Sequence, residues 1–549
     1  MTEFTVWAPD VARVRLRLAG DADHEMCSGT DGWWRVEVPG AGPGTDYGFL
    51  LGDDDRALPD PRSAWQPAGV RGPSRLYDHA AFEWTDRSWT GRQLPGSVLY
   101  ELHVGTFTPD GTFDGVIGRL DHLVDLGIDM IELLAVNAVN GGHNRGYDGV
   151  CWYAPHQPYG GPDGLKRLVD AAHAKGLGVI LDVVYHQFGP AGAYPPTFLG
   201  EQSDIWGRRV DLDGPHSDGI RRHVVDSVLM WLRDYHADGL RLDAVHVLPD
   251  SRATQFLAEV VVAVEALSTH LGRPLSLIAE TDLDDPRLIT PRQPGGDVRC
   301  NDEDRHVPDR PLTGERQGYH ADFGSLECLA DLLTGGLVHA GTWSSFRNRQ
   351  QGRPVDRQQI PGHRFLAYRQ NHDQIGNPAT GDRISASLSP ALLRVGAMLL
   401  LTAPFIPTLF MGEEWAASTR WQIFTSHTEP AHAVAVAAGR RREFAAHGWP
   451  EGDLPDPQDR QTFVRSRLDW AELDKPEHRA MYDFYRRLIV LRGSRPDLAD
   501  PWLDRVNVRR GDQFLVMRRG ETLVAANLAG RPQRITLPGV ARGVLLATG

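Results

Sequence analysis

Cysteine is scarce in this sequence. The four present, Cys27, Cys151, Cys300 and Cys328, stand far apart and form no CxxC pair. That argues against a zinc site and for free thiols in a reducing, cytoplasmic compartment. No run of about 18 apolar residues occurs, so no membrane-spanning helix is expected. The start, MTEFTVWAPD, lacks the basic and apolar regions of a secretory signal. Basic excess is lacking too. The formal net charge is −14, whereas nucleic acid or an anionic membrane would require a basic face. No GxGxxG or P-loop sequence opens any unit. No dense Asp/Asn loop of the EF-hand kind is present. Neither a metal nor an organic cofactor is expected.

What remains is an ordinary globular composition, 41% apolar and 24% charged. The 549 residues suffice for more than one domain. Residues 1–92 read as a β-sandwich of the carbohydrate-binding kind. Arg13-Val14-Arg15-Leu16-Arg17-Leu18 alternates as a half-buried strand should, and 34–38 and 47–51 continue the pattern between Gly/Pro/Asp turns. Thr90–Ser97 reads as a linker. Residues 93–499 then alternate strands with helices. Strands are expected at 98–104, 129–136, 178–185, 238–243, 275–280, 364–370 and 405–411. Helical stripes run through Ile117, Leu120, Leu123 and Val124, through Leu165, Leu168, Val169 and Ala172, through Val225, Val228, Leu229 and Leu232, and through Leu257, Val260, Val261 and Val264. Residues 500–549 suggest a short C-terminal β domain.

Repeated βα units mean a doubly wound sheet or a (β/α)₈ TIM barrel. Polar residues recur at strand ends: Asp182, Asp243, Glu280 and His372-Asp373. In a barrel all strand C-termini open onto one face, where active sites lie. The α/β barrel is therefore the expected fold.

In DGLRLDAVH (238–246), Arg241 and Asp243 stand two apart on an expected strand and so share a face. The arginine would hold the aspartate ionised. Glu280 follows Leu-Ile-Ala, so apolar surroundings that raise its pKa are expected. One ionised and one protonated carboxyl is the pair that glycoside hydrolysis needs. A lone aspartate at a strand end is more often a helix cap. Three acids at equivalent places in different units, one with its own arginine, point to chemistry.

DGLRLDAVH, LIAETDLDDPR (277–287) and RQNHDQIGN (369–377) resemble the conserved regions of the α-amylase superfamily, glycoside hydrolase family 13. ELHVGTFTPDGTF (101–113), GYDGV (146–150), YGGPDGL (159–165), LTGERQGYHADFGS (312–325) and LFMGEEW (409–415) resemble the branch of that superfamily that releases trehalose from maltooligosyltrehalose. The resemblance implies a retaining hydrolase of the α-1,4 bond next to a terminal trehalose. It implies Asp243 as nucleophile, Glu280 as general acid/base and Asp373 as transition-state stabiliser. Arg241 would orient Asp243. His372, Tyr147, Asp182, Gln187 and His246 would line the sugar site, and Phe346 and Arg347 would receive the trehalose end. Glu413 and Glu414 read as structural. The implied partners are a maltooligosaccharide with terminal trehalose and a maltooligosyltrehalose synthase that supplies it.

Several positions depart from the family pattern. Arg145 stands where a tryptophan is usual, His186-Gln187 where Asn-His is usual, and Cys300–Arg305 where a Trp-Asn-Asp-Asp-Phe-His run is usual. A glucan branching or debranching enzyme, or a glucan-binding protein with a weakened site, are the alternatives.

Overall fold

The computed structural model describes residues 1–20, 22–189, 198–203, 208–248, 250–290, 300–302, 322–446 and 454–548. Eight strands form one sheet: β1 (Leu99–Leu102), β2 (Met130–Leu133), β3 (Gly178–Val183), β4 (Gly239–Leu242), β5 (Ser276–Glu280), β6 (Cys300–Asp302), β7 (Leu366–Ala367) and β8 (Ile406–Phe410). Their spatial order is β6-β5-β4-β3-β2-β1-β8-β7, and every pairing is parallel. The end strands β6 and β7 also lie side by side, so the sheet closes on itself. This is the (β/α)₈ barrel expected from the sequence.

Side chains on a strand alternate between faces. That period sorts the barrel interior into layers. Leu99, Met130, Ile180, Ile278, Leu366 and Ile406 pack together across the barrel base with Leu94. Two residues further along the first three of these strands, and along β5, stand Glu101, Glu132, Asp182 and Glu280. The base is thus a dry apolar plug and the layer above it is charged. Leu94 comes from the segment expected to be a linker. It is instead 2% exposed, and Arg92 beside it pairs with Asp129, so the segment plugs the barrel.

Helices fill the crossovers. The stripe Leu165, Leu168, Val169 and Ala172 lies fully buried on Gly161–Ala174. The stripe expected from 117 to 124 is divided between two short helices, Phe113–Ile117 and Leu120–Leu126. They are interrupted at Gly118-Arg119, and Val124 is left exposed. Where a strand was expected over 364–370, the strand is Leu366–Ala367, with single bridge positions at Phe365 and Tyr368 on either side. The chain then turns at once into a five-residue helix, His372–Gly376.

Before the barrel, two antiparallel sheets share a core of Phe4, Val6, Val14, Leu16, Trp34 and Phe49. They dock on the barrel through Trp7, which leaves room only for glycine at 219, and through Arg62, 2.8 Å from Asp226. After it, Val506–Arg510, Phe514–Arg519 and Thr522–Asn527 form a small antiparallel sheet. Buried Arg519 ties that sheet to the barrel, donating to the Thr402 carbonyl at 2.6 Å. Among the described residues no helix is long and apolar enough to cross a membrane.

Because Leu94 seals the barrel base, Leu94→Ala is expected to cost about 2–5 kcal/mol, as core Leu→Ala cavities do. Urea unfolding measures this; a substitution in a mere tether would leave the midpoint unchanged.

Candidate functional site

The barrel mouth is organised around Arg241. Its inward position on β4 buries it to 1% side-chain exposure. Its Nη1 donates to Asp182 at 2.9 Å and to Asp243 at 2.8 Å. Its Nη2 lies 3.6 Å from Glu280, and its Nε lies 4.0 Å from Glu132. The strand stops at Leu242, so Asp243 is one residue beyond it. The backbone N–H of Asp243 still reaches the Val183 carbonyl at 3.0 Å, which prolongs the strand direction and keeps Asp243 on the arginine's side. The next residue, Ala244, has φ +45°, a left-handed conformation costly for a residue with a Cβ. That turn aims its N–H at Glu280 Oε2, 2.5 Å away.

Glu280 therefore does not have the apolar surroundings expected from Leu-Ile-Ala. Leu277 and Ala279 point away by strand alternation, and Glu280 faces a guanidinium and a peptide N–H. Asp182, like Glu101 and Glu132, is a buried carboxyl. It is fully enclosed and accepts from Tyr147 Oη at 2.6 Å as well as from Arg241. Burial pushes its pKa up to about 7; Arg241 opposes this, and the charge of Asp243 adds to it.

The end of β7 contributes a second group. Asn371 caps the helix His372–Gly376 in a reciprocal capping box with Gln374. This fixes His372 and Asp373 in the first turn. His372 Nδ1 contacts Glu101 Oε1, and its ring stacks on Tyr147 with centroids 4.7 Å apart and planes 14° apart. Burial lowers the His372 pKa to about 3, so the ring is neutral at neutral pH. Its Nε2 lies 3.5 Å from Asp373 Oδ2. Asp373 keeps 38% of its side chain exposed at the mouth. Burial pulls its pKa up, but the neighbouring His372, Arg145 and Arg241 outweigh that and leave it below the ordinary carboxylate value. With His372 neutral, the two arginines are the standing positive charges. Arg145 donates to the His372 carbonyl at 2.8 Å and lies 3.8 Å from Asp373.

A third group gathers at Asp282, two residues after Glu280. Asp282 pairs with Arg347 and lies 3.5 Å from His246 Nε2, while its carbonyl accepts from Gln351 at 2.5 Å. Arg347 and Gln351 belong to a hairpin formed by Ala340–Ser344 and Arg349–Gly352. Trp343 and Phe346 stand on it, 59% and 55% exposed.

Of the residues picked from the sequence, Asp243, Glu280, Asp182, Arg241, Tyr147, His372 and Asp373 form one connected network. His246 and Arg347 gather instead at Asp282, two residues after Glu280, and Phe346 lies on the exposed hairpin, with Arg347 against its ring at 5.3 Å. Gln187 donates to the Tyr147 carbonyl at 3.2 Å, and His186 Nδ1 lies 3.7 Å from Asp243 Oδ2. Glu413 and Glu414 bond Tyr485 and Tyr100, outside this network. Residues 303–305, Pro308, Pro311 and 312–321 lie outside the described residues. Glu101, Glu132 and Asp282 were missed. The first two carried a signal: each is the lone charge in a buried strand, Leu-Tyr-Glu-Leu and Met-Ile-Glu-Leu.

The alpha-amylase catalytic domain family matches residues 73–193. A malto-oligosyltrehalose trehalohydrolase of Mycobacterium tuberculosis is 50% identical, over 98% of this chain and 94% of that protein. One of Rhizobium sp. is 49% identical, over 99% and 94%. A crystal structure of an alpha-amylase-like protein from Salmonella typhimurium superposes with a TM-score of 0.91 at 36% identity, covering 99% of this chain and 94% of that one.

The raised pKa of Asp182 makes stability depend on pH. Its folded value, about 7, exceeds the usual unfolded value near 3.9, so the folded state binds the extra proton. Stability from this group is full below about pH 4 and is lost as pH rises towards 7. Asp182→Asn is expected to flatten that slope, read as the urea midpoint against pH from 4 to 7.

Proposed function

The chain belongs to the malto-oligosyltrehalose trehalohydrolase family, within the α-amylase superfamily, and from that premise we propose that it hydrolyses the α-1,4 bond next to the terminal trehalose of maltooligosyltrehalose. Trehalose is released. The carrying observation is one guanidinium, Arg241, which holds Asp243 at 2.8 Å and stands 3.6 Å from Glu280. Two carboxyl groups are thereby held at one mouth, as double-displacement glycoside hydrolysis requires.

In the first step an Asp243 oxygen attacks the anomeric carbon of the glucosyl unit. Glu280 passes its proton to the bridging oxygen as that C–O bond breaks, and trehalose leaves. In the second step Glu280 takes a proton from water. The water oxygen bonds the anomeric carbon and Asp243 is released. Hydrogen-bonding Asp243 through one oxygen to Arg241 fixes its direction. The Ala244 N–H on Glu280 ties the acid to the nucleophile's own turn. Asp373 and His372 face the sugar hydroxyls, where positive charge spreading over the ring strengthens their bonds in the transition state. Tyr147 backs this pair by stacking on His372. The Asp282 cluster and its hairpin, with Phe346 and Arg347, form the side that takes trehalose.

We assign catalysis to residues 93–499, flanked by 1–92 and 500–549. The substrate would come from a maltooligosyltrehalose synthase acting in the same cytoplasm. A branching or debranching activity would need the same three acids. The near-full-length kinship favours the trehalose-releasing reading over it, and the intact acids favour an enzyme over a binding protein.

Purified protein is expected to release free trehalose from maltooligosyltrehalose and to act poorly on plain maltooligosaccharide. Asp243→Ala should abolish release, and Glu280→Gln should lower kcat by about 10²–10⁴-fold. Binding of both glucans without turnover would refute this reading.

A further inference from the structure

We propose that Arg145 is the positioning residue of Asp373, as Arg241 is of Asp243. The proposal rests on the reading of Asp373 as a catalytic carboxylate. Arg145 lies on the loop that joins the paired strands Asn137–Ala138 and Cys151–Pro155 after β2, remote in sequence from β7. Only 9% of its side chain is exposed. One face of its guanidinium covers the Trp421 ring at 4.5 Å. Against it also lies Gly376, where an added Cβ would come within 2.7–2.9 Å of three guanidinium atoms. The plane is therefore clamped, and the clamp needs glycine at 376.

From that fixed position, Nη2 donates to the carbonyl of His372 at 2.8 Å. The same atom lies 3.8 Å from Asp373 Oδ1. Arg440 holds the other end of this short helix, donating to the Gly376 and Asn377 carbonyls at 3.0 and 2.8 Å. Asp373 is thus carried on one helical turn gripped at both ends, by a capping box and Arg145 at the start and by Arg440 at the finish.

The charge balance gives Arg145 its second task. Asp373 faces His372 on its own turn, Asn377 Nδ2 at 3.3 Å, Arg145 on the loop after β2 and Arg241 on β4. His372 and both arginines lower the Asp373 pKa, and Arg241 also donates to Asp182 and Asp243. Arg145 stands 3.8 Å from Asp373. A buried guanidinium in turn needs an anion nearby. A tryptophan at 145 could stack but could supply neither the donor to His372 nor the charge.

Arg145→Gln keeps an amide donor and removes the charge, and Arg145→Lys keeps the charge. With maltooligosyltrehalose as substrate, Arg145→Gln is expected to lower kcat about tenfold or more while KM changes by less than about threefold. The acid limb of kcat/KM should move to higher pH, and Arg145→Lys should recover part of both effects. A readout without turnover accompanies this: carbodiimide-driven amine labelling of Asp373 against pH, followed by peptide mass spectrometry. Its half-labelling pH should rise in Arg145→Gln. An unchanged acid limb and an unchanged labelling pH, even in a variant that melts earlier, would overturn the proposal. If wild-type protein releases no trehalose, the functional reading fails, and the labelling shift alone decides the role of Arg145.

Discussion

Arg241 sits among Asp182, Asp243, Glu280 and Glu132, at 2.9, 2.8, 3.6 and 4.0 Å, with 1% of its side chain exposed. Four carboxylates converging on the interior of a closed barrel would repel one another and pay for lost hydration. A single delocalised cation with five donors in a fixed fork can address several of them at once. Lysine, a point charge on a flexible stem, could not hold two oxygens in set directions. The contacts made by this one side chain link β2, β3, β4 and β5 above the apolar base. It is also the reason Asp243 has a defined orientation.

The second cation follows the same logic in a weaker form. Asp373 is more open than Asp243, and its arginine comes from a loop rather than from the neighbouring strand position. The arrangement at β4 is set by alternation along a strand. The arrangement at β7 depends on a helical turn, a clamped guanidinium and a glycine. A third cluster, at Asp282, ties the exposed aromatic hairpin to the residues that follow Glu280. The mouth is therefore built from three pieces around one barrel, the first two linked through Tyr147 between Asp182 and His372. Loops supply variation and the strands supply precision, as in other barrels of this class.

The departures noted in the sequence acquire physical meaning in this setting. Arg145 does not leave a hole where an aromatic would stand; it packs on Trp421 and takes up the carbonyl of His372. Gln187 supports Tyr147 through its backbone, and His186 lies near the free oxygen of Asp243. At 145, 186 and 187 the departing side chains contact the acids or the residues beside them, while Asp243, Glu280 and Asp373 keep their places at the strand ends.

The sequence by itself determined the alternation of strands and helices, the barrel class, the apolar stripe of Gly161–Ala174 and the acids at the strand ends. Those are local features, set by periods of 2 and 3.6 residues and by the polarity of neighbours. Period 2 also foretold that Arg241 and Asp243 would meet, and the hydrogen bond from the Asp243 N–H to the Val183 carbonyl preserves that geometry past the strand end. Only the tertiary structure decided that Leu94 plugs the base, that β7 shrinks to two residues, that Glu280 faces charge rather than apolar side chains, and that Glu101, Glu132, Asp282 and Arg145 join the site. Each of these is a contact between segments distant along the chain. Closing the sheet determines which strand ends face one another, and packing against loops determines which charges they meet. Neither is written in the spacing of any single stretch.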